Sequence, residues 1–179
     1  NRDISLLKLI TSCDKYIEKN PYLLQYDNTK LYTHQKRLFE IFQKDSILPK
    51  LVLYTAPTAT GKTMSPIGLS EKYRVIFVCA ARHVGLALSK LCVSAGKKIA
   101  FAFGCSCSED IRLHYYAAKE YTKDWRSGNI RKVDNTIGDN VEIMICDIHS
   151  YEYAMLYMMA FNDKTNIVTF WDEPTIFMD

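Results

Sequence analysis

Glycine and proline are scarce, at 7 and 5 of 179 residues, which excludes collagen-like and low-complexity polymers. Long apolar runs are also lacking. The longest, Tyr153 to Phe161, falls well short of the ~20 residues that a membrane span needs. Arg2, Asp3 and Lys8 interrupt the amino-terminal stretch where a secretory signal would be apolar. No membrane partner is expected, and the reading is a soluble, intracellular protein of cytoplasm or nucleus. Neither sign of charge dominates: 23 Lys and Arg against 20 Asp and Glu leave a net +3, which permits a nucleic-acid partner without arguing for one. The six cysteines, Cys13, Cys79, Cys92, Cys105, Cys107 and Cys146, form no C-x-x-C pair. Reduced, mostly buried thiols are therefore expected rather than a zinc site with His114 or His149. Repeats are absent. What remains is 48% hydrophobic and 24% charged, the composition of one ordinary globular domain.

Apolar spacing at Ile4, Leu7, Ile10, Cys13 and Ile17 predicts an amphipathic leading helix that ends near Asn20-Pro21, so residues 1–30 read as a helical extension before a main domain over 31–179. A helix from Thr33 to about Lys44 follows. Leu51 to Tyr54 then reads as a buried strand feeding the loop Ala56-Pro57-Thr58-Ala59-Thr60-Gly61, and Lys62 to about Tyr73 as a helix. The alternation continues with a strand over Arg74 to Cys79, a helix over Arg82 to Ala95 closed by Gly96, and a strand over Lys98 to Phe103. Ser108 is expected to cap a helix carrying Ile111, Tyr115, Ala118, Tyr121 and Trp125 on one face as far as Ser127-Gly128. Asn129 to Asn140 reads as a hairpin or excursion. Val141 to Cys146 resumes strand, Ser150 to Phe161 is helical, and Ile167 to Trp171 is a last strand running into Asp172-Glu173. Short strands, apolar on both faces and separated by helices, imply an α/β three-layer sandwich with a mostly parallel sheet, whose ligands sit at the strands' carboxyl ends.

The stretch from Ala56 to Thr63 lies between an expected strand and an expected helix, the setting of a phosphate-binding loop. Its N–H groups and the start of the next helix present positive partial charge to a polyphosphate. Lys62 is placed to reach the β- and γ-phosphates and Thr63 to put its hydroxyl on Mg²⁺, while Gly61 brings the backbone close without a Cβ. Asp172 and Glu173 follow an apolar strand that delivers them to the same sheet edge. There Asp172 suits Mg²⁺, and Glu173 suits the water that attacks the γ-phosphate.

Together these residues resemble the first RecA-like domain of superfamily 2 helicases and translocases (the DEAD and DExH-like group). The loop is similar to that family's motif I, A-x-T-G-x-G-K-T, and Trp171-Asp172-Glu173-Pro174-Thr175 to its D-E-x-x box. Leu31-Tyr32-Thr33-His34-Gln35 resembles the element in which a glutamine reads the adenine edge. Ala80-Ala81-Arg82-His83 and Cys146-Asp147-Ile148-His149-Ser150 occupy the places of motifs that touch the nucleic-acid backbone. The resemblance covers about residues 30 to 175 and implies a RecA-like P-loop fold with ATP and Mg²⁺ as cofactors and DNA or RNA as partner. It implies catalytic roles for Lys62, Asp172 and Glu173, nucleotide contacts from Gln35 and from Pro57, Thr58, Ala59, Thr60, Gly61, Lys62 and Thr63, and metal ligation by Thr63 and Asp172. Arg82, His83 and His149 become candidate nucleic-acid contacts.

Two departures stand out. Ala59 occupies a position where the family usually has glycine, and Thr175 one where it usually has Asp or His. Because the chain ends soon after the acidic box, the expectation is a fragment whose second RecA-like domain, with its arginine finger, is missing, and which hydrolyses ATP weakly or not at all by itself. The abundance of Asn, Lys, Ile and Tyr points to an AT-rich genome, and the resemblance adds a virus-encoded source as an expectation, since large DNA viruses encode many divergent members of that family. Two alternatives remain open: another P-loop NTPase, such as a kinase or packaging ATPase, and a non-catalytic nucleotide-binding scaffold. Lys97-Lys98 and Arg131-Lys132 read as solvated strand ends. Met155, Met158 and Met159 read as packing residues.

Overall fold

The computed structural model describes residues 32–44, 48–57, 60–114, 116–121, 132–134 and 137–173; the expected leading helix lies outside them. The chain enters through helix α1 (Thr33–Gln43), passes an extended stretch, and makes a 3₁₀ turn (Lys62–Met64) that continues into a short helix α2 (Ser65–Leu69). Then come strand β1 (Arg74–Cys79), helix α3 (Arg82–Ser94), β2 (Ile99–Ala102), a 3₁₀ turn (Ser108–Asp110), β3 (Arg112–Leu113), β4 (Lys119–Tyr121), β5 (Lys132–Asp134), β6 (Ile143–Asp147), α4 (Tyr151–Phe161), a 3₁₀ turn (Lys164–Asn166) and β7 (Ile167–Trp171).

Among the described residues β1, β2, β3, β6 and β7 form a five-stranded sheet in the order β3-β2-β6-β1-β7, and β4 and β5 form a separate antiparallel hairpin. All pairings in the main sheet are parallel except β2 with β3. Parallel strands packed on both faces need apolar side chains at every position, and β1, with Val75 through Cys79 all buried, meets that need. Side-chain alternation then sorts the core in two. Val75, Phe77, Cys79, Ile99, Ile143 and Ile145 face Leu38 of α1, Leu69 of α2 and Leu88 and Cys92 of α3. Ile76, Val78, Ala100, Ala102, Met144 and Cys146 face Ala154, Tyr157 and Met158 of α4. The arrangement is α/β with helices on both sides of a mostly parallel sheet, compatible with a three-layer sandwich. No helix among the described residues is long and apolar enough to cross a membrane.

Several expectations are corrected. Residues 51–57 make no strand. They run with alternating exposure: Val52 and Tyr54 pack against the core beside Val168 and Phe170 of β7, while Leu51 and Leu53 stand almost wholly in solvent. Without a backbone ladder, alternation alone does not make a strand. The helix expected from Lys62 to Tyr73 stops at Leu69. Ser70 donates its hydroxyl to the Ile67 carbonyl at 2.7 Å, competing locally with the helical ladder. The helix expected after Ser108 is one 3₁₀ turn. Asp110 folds back to accept from Ser106 N and Ser106 Oγ, both at 3.0 Å, and β3 completes the free edge of β2. Tyr115 and Trp125 lie outside the described residues. The excursion over 129–140 contains β5, paired with β4.

Lys97 is not solvated. It is 8% exposed, with its ammonium 2.6 Å from Glu71 Oε1 and 3.5 Å from Glu142 Oε1, because a cation this deep requires carboxylate partners. Arg131 falls outside the description. Met158 is fully buried and Met155 packs on the core, but Met159 is exposed. Cys79, Cys92, Cys105 and Cys146 are buried free thiols, and Cys107 is partly exposed.

Gly85 is where α3 rests on the sheet. A Cβ there would lie 2.8 Å from Ile145 Cγ2 and Phe103 Cζ and 3.0 Å from Cys79 Sγ. Gly85→Ala is expected to destabilise by about 1–3 kcal/mol through overpacking, measured by denaturant unfolding. Gly96→Ala has open space around the site and left-handed backbone, and should cost only about 1–2 kcal/mol.

Candidate nucleotide and nucleic-acid site

The loop before Lys62 is drawn together from both sides. Thr60 Oγ1 donates to the Pro57 carbonyl at 2.6 Å across residues 58 and 59; those two candidate phosphate contacts, Thr58 and Ala59, lie outside the described residues. Gly61 takes φ +74°, a left-handed conformation that favours glycine. Its carbonyl accepts from Met64 N at 3.1 Å, which starts the 3₁₀ turn carrying Lys62 and Thr63, both half-buried.

Gln35 is 6% exposed and spans α1 and this loop. Its Oε1 accepts from Tyr32 N and its Nε2 donates to the Gly61 carbonyl, both at 2.9 Å. A Cβ on Gly61 would approach Nε2 to 3.1 Å. An amide has two N–H groups and two carbonyl lone pairs, so these bonds leave one of each on Gln35, the complement of an adenine edge.

At the other side of the site, Asp172 N donates to the Val78 carbonyl at 2.9 Å, continuing the β1–β7 ladder past the last strand residue. This bond fixes where the acidic pair leaves the sheet. Burial, and then the neighbouring Glu173 carboxylate, push the Asp172 pKa above the ordinary carboxylate range, while the Lys62 ammonium pulls it down. Glu173 is exposed and sits at φ +49°, the one non-glycine positive φ among the described residues. Such backbone in a non-glycine residue is held by its surroundings and concentrates at functional turns.

Sequence reasoning missed an aromatic brace beneath the loop. The Tyr32 ring, half exposed, stacks on His34 with centroids 5.5 Å apart and planes at 10°. His34 Nδ1 lies 2.5 Å from Tyr54 Oη, which is 3.2 Å from Ser65 Oγ in the first turn of α2. The Tyr54 ring also meets Phe170 of β7, 6.3 Å between centroids. The alternation of Val52 and Tyr54 was the available signal, but a continuous apolar run hid it.

Arg82 and His83 are exposed on the first turn of α3, just beyond β1, and His149 is exposed in the turn after β6. Because β1 and β6 are adjacent and parallel, these residues share the carboxyl edge of the sheet with Asp172. The Arg82 guanidinium lies 5.4 Å over the Phe103 ring. Pro57 is exposed at the loop entrance, and Pro174 and Thr175 of the acidic box lie outside the described residues.

Comparison with protein-family models, characterised proteins and solved structures finds no match.

The raised Asp172 pKa has a consequence for stability. Its charged form is worse off folded than unfolded, so Asp172 favours folding below the unfolded carboxylate pKa and loses that contribution as pH rises through its folded value. Asp172→Asn is therefore expected to be more stable than the unaltered chain at pH 7 to 8, and the gain should vanish in acid. Thermal melts across pH without Mg²⁺ check this.

Proposed function

We propose that this chain is the nucleotide-binding part of a nucleic-acid-dependent ATP hydrolase of the helicase or translocase type, with a RecA-like P-loop fold. The observation that carries the reading is a half-buried Asp172 fixed at the end of β7 by its N–H bond to the Val78 carbonyl, together with Lys62 and Thr63 on the turn that left-handed Gly61 opens, because a phosphate-loop lysine and a strand-end aspartate have reason to meet around a metal-bound triphosphate. The left-handed Gly61, the spare amide valences of Gln35 and the twisted backbone of Glu173 support it.

The residues present fit Mg-ATP. A carboxylate held above its usual pKa by burial and a like charge is one that a divalent cation would relieve. Bound Mg²⁺ would supply charge neutralisation across the β- and γ-phosphates. Within that scheme Thr63 and Asp172 hold the metal, and Lys62 holds the phosphate oxygens. The backbone N–H groups of Thr60 and Gly61 would face the phosphates, Gln35 would read the base, and Glu173 would orient and deprotonate the attacking water. Arg82, His83 and His149 lie on the edge offered to a DNA or RNA backbone. Hydrolysis in this scheme calls on a cation from a second RecA-like domain, the role of an arginine finger.

Titration calorimetry with ATP and Mg²⁺ tests the reading. The chain should bind Mg-ATP, and Lys62→Ala should weaken binding about tenfold or more through loss of a charged phosphate contact. Glu173→Gln should keep the affinity and remove turnover in the full motor. Gln35→Ala should erase the preference for ATP over GTP. Equal affinity of the unaltered and Lys62→Ala chains for Mg-ATP overturns the proposal.

A further inference from the structure

The turn between β6 and α4 is pinned on several sides. Asp147 Oδ1 accepts from Ser150 N at 2.8 Å, and Oδ2 accepts from Gly104 N at 2.7 Å. Ser150, fully buried, accepts from Cys105 N at 2.9 Å through its own hydroxyl. The exits of β2 and β6 are thereby joined, and exposed His149 stands at the crest of the joined unit. The next residue but one, Tyr151, leads away from it toward β7. Its ring lies 4.9 Å from that of Trp171 with planes at 59°. Trp171 is followed directly by Asp172, whose N–H is committed to Val78 of β1.

No step of binding or hydrolysis proposed above uses Tyr151. A tilted ring contact with one residue of β7, made from the first residue of α4, orients the Tyr151 side chain toward that strand. We infer that Tyr151 is a positioning residue that couples the Asp147–Ser150 turn to the acidic pair, so that a nucleic-acid backbone seated at the turn is felt at Asp172 through Trp171. This inference rests on the nucleotide reading above. The turn is tied into one unit because its carboxylate and hydroxyl bond both strand exits, and its aromatic contact with β7 ends beside the carboxylate assigned to the metal. By thermodynamic linkage, a ligand that favours one arrangement of the turn changes Mg-ATP affinity by the same factor that Mg-ATP changes the ligand's own.

Mg-ATP affinity of the full chain, measured by calorimetry with and without a single-stranded oligonucleotide of mixed sequence, tests the coupling. In the unaltered chain the oligonucleotide should shift the dissociation constant about fivefold or more. Tyr151→Ala should reduce that factor to below about twofold while changing the affinity without oligonucleotide by less than about twofold. Tyr151→Leu, which keeps apolar volume but neither ring nor hydroxyl, should behave the same way and decides the matter if the alanine variant does not fold. Tyr151→Phe, which keeps the ring, should retain most of the coupling. Full coupling in the alanine or leucine variant overturns the inference and leaves the nucleotide reading standing, as does an unaltered chain that binds Mg-ATP but ignores the oligonucleotide. An unaltered chain that binds no Mg-ATP removes the nucleotide reading itself, and the inference with it.

Discussion

A carboxylate taken half out of water beside a second carboxylate carries a desolvation and repulsion cost that a nearby cation offsets. Asp172 is in that position, and the Lys62 charge opposes the shift that burial and Glu173 impose. The rest of the site follows from this opposition. Asp172 is held by the backbone bond to Val78, which depends on β7 lying in parallel register with β1. Lys62 is held by the turn that Gly61 opens, and Gly61 is held by Gln35.

The sheet's carboxyl edge is heavily cross-linked for a set of loops. Asp147 bonds backbone N–H groups from two different strand exits, Ser150 adds a third bond, and Tyr151 carries the connection to β7. Such bonds fix neighbouring turns relative to one another. Arg82 over Phe103 ties the start of α3 to the same edge. At the opposite edge, Lys97 between Glu71 and Glu142 closes the entry to β2 and β6 with paired charge.

Much of this was legible in the chain's pattern. The strands over 74–79 and 167–171 were read with the bounds they have, since a β-branched and aromatic run bounded by polar residues has few other solutions. The glycine at 96 ended α3 as expected, at φ +72°. The failures share one cause. Residues 51–54 and 108–125 carry periodicities that suit a strand and a helix, yet whether such a run becomes either depends on what lies next to it. The first found a core to pack on but no ladder, and Asp110 together with the open edge of β2 claimed the start of the second. Lys97 was misjudged for the same reason, because charge in sequence says nothing about which carboxylates will stand opposite.

The sequence alone determined the buried strands over 74–79 and 167–171, the helices that follow residues 32, 81 and 150, and the residue types suited to phosphate and metal, because these follow from local periodicity and side-chain chemistry. Only the tertiary structure decided which of them meet. Parallel pairing brings the exits of β1, β6 and β7 to one edge, the Gln35 amide commits one of its N–H groups to Gly61, and Tyr151 reaches Trp171 across elements separated in the chain. Contacts of that kind arise from strand order and register, which no single window of residues contains.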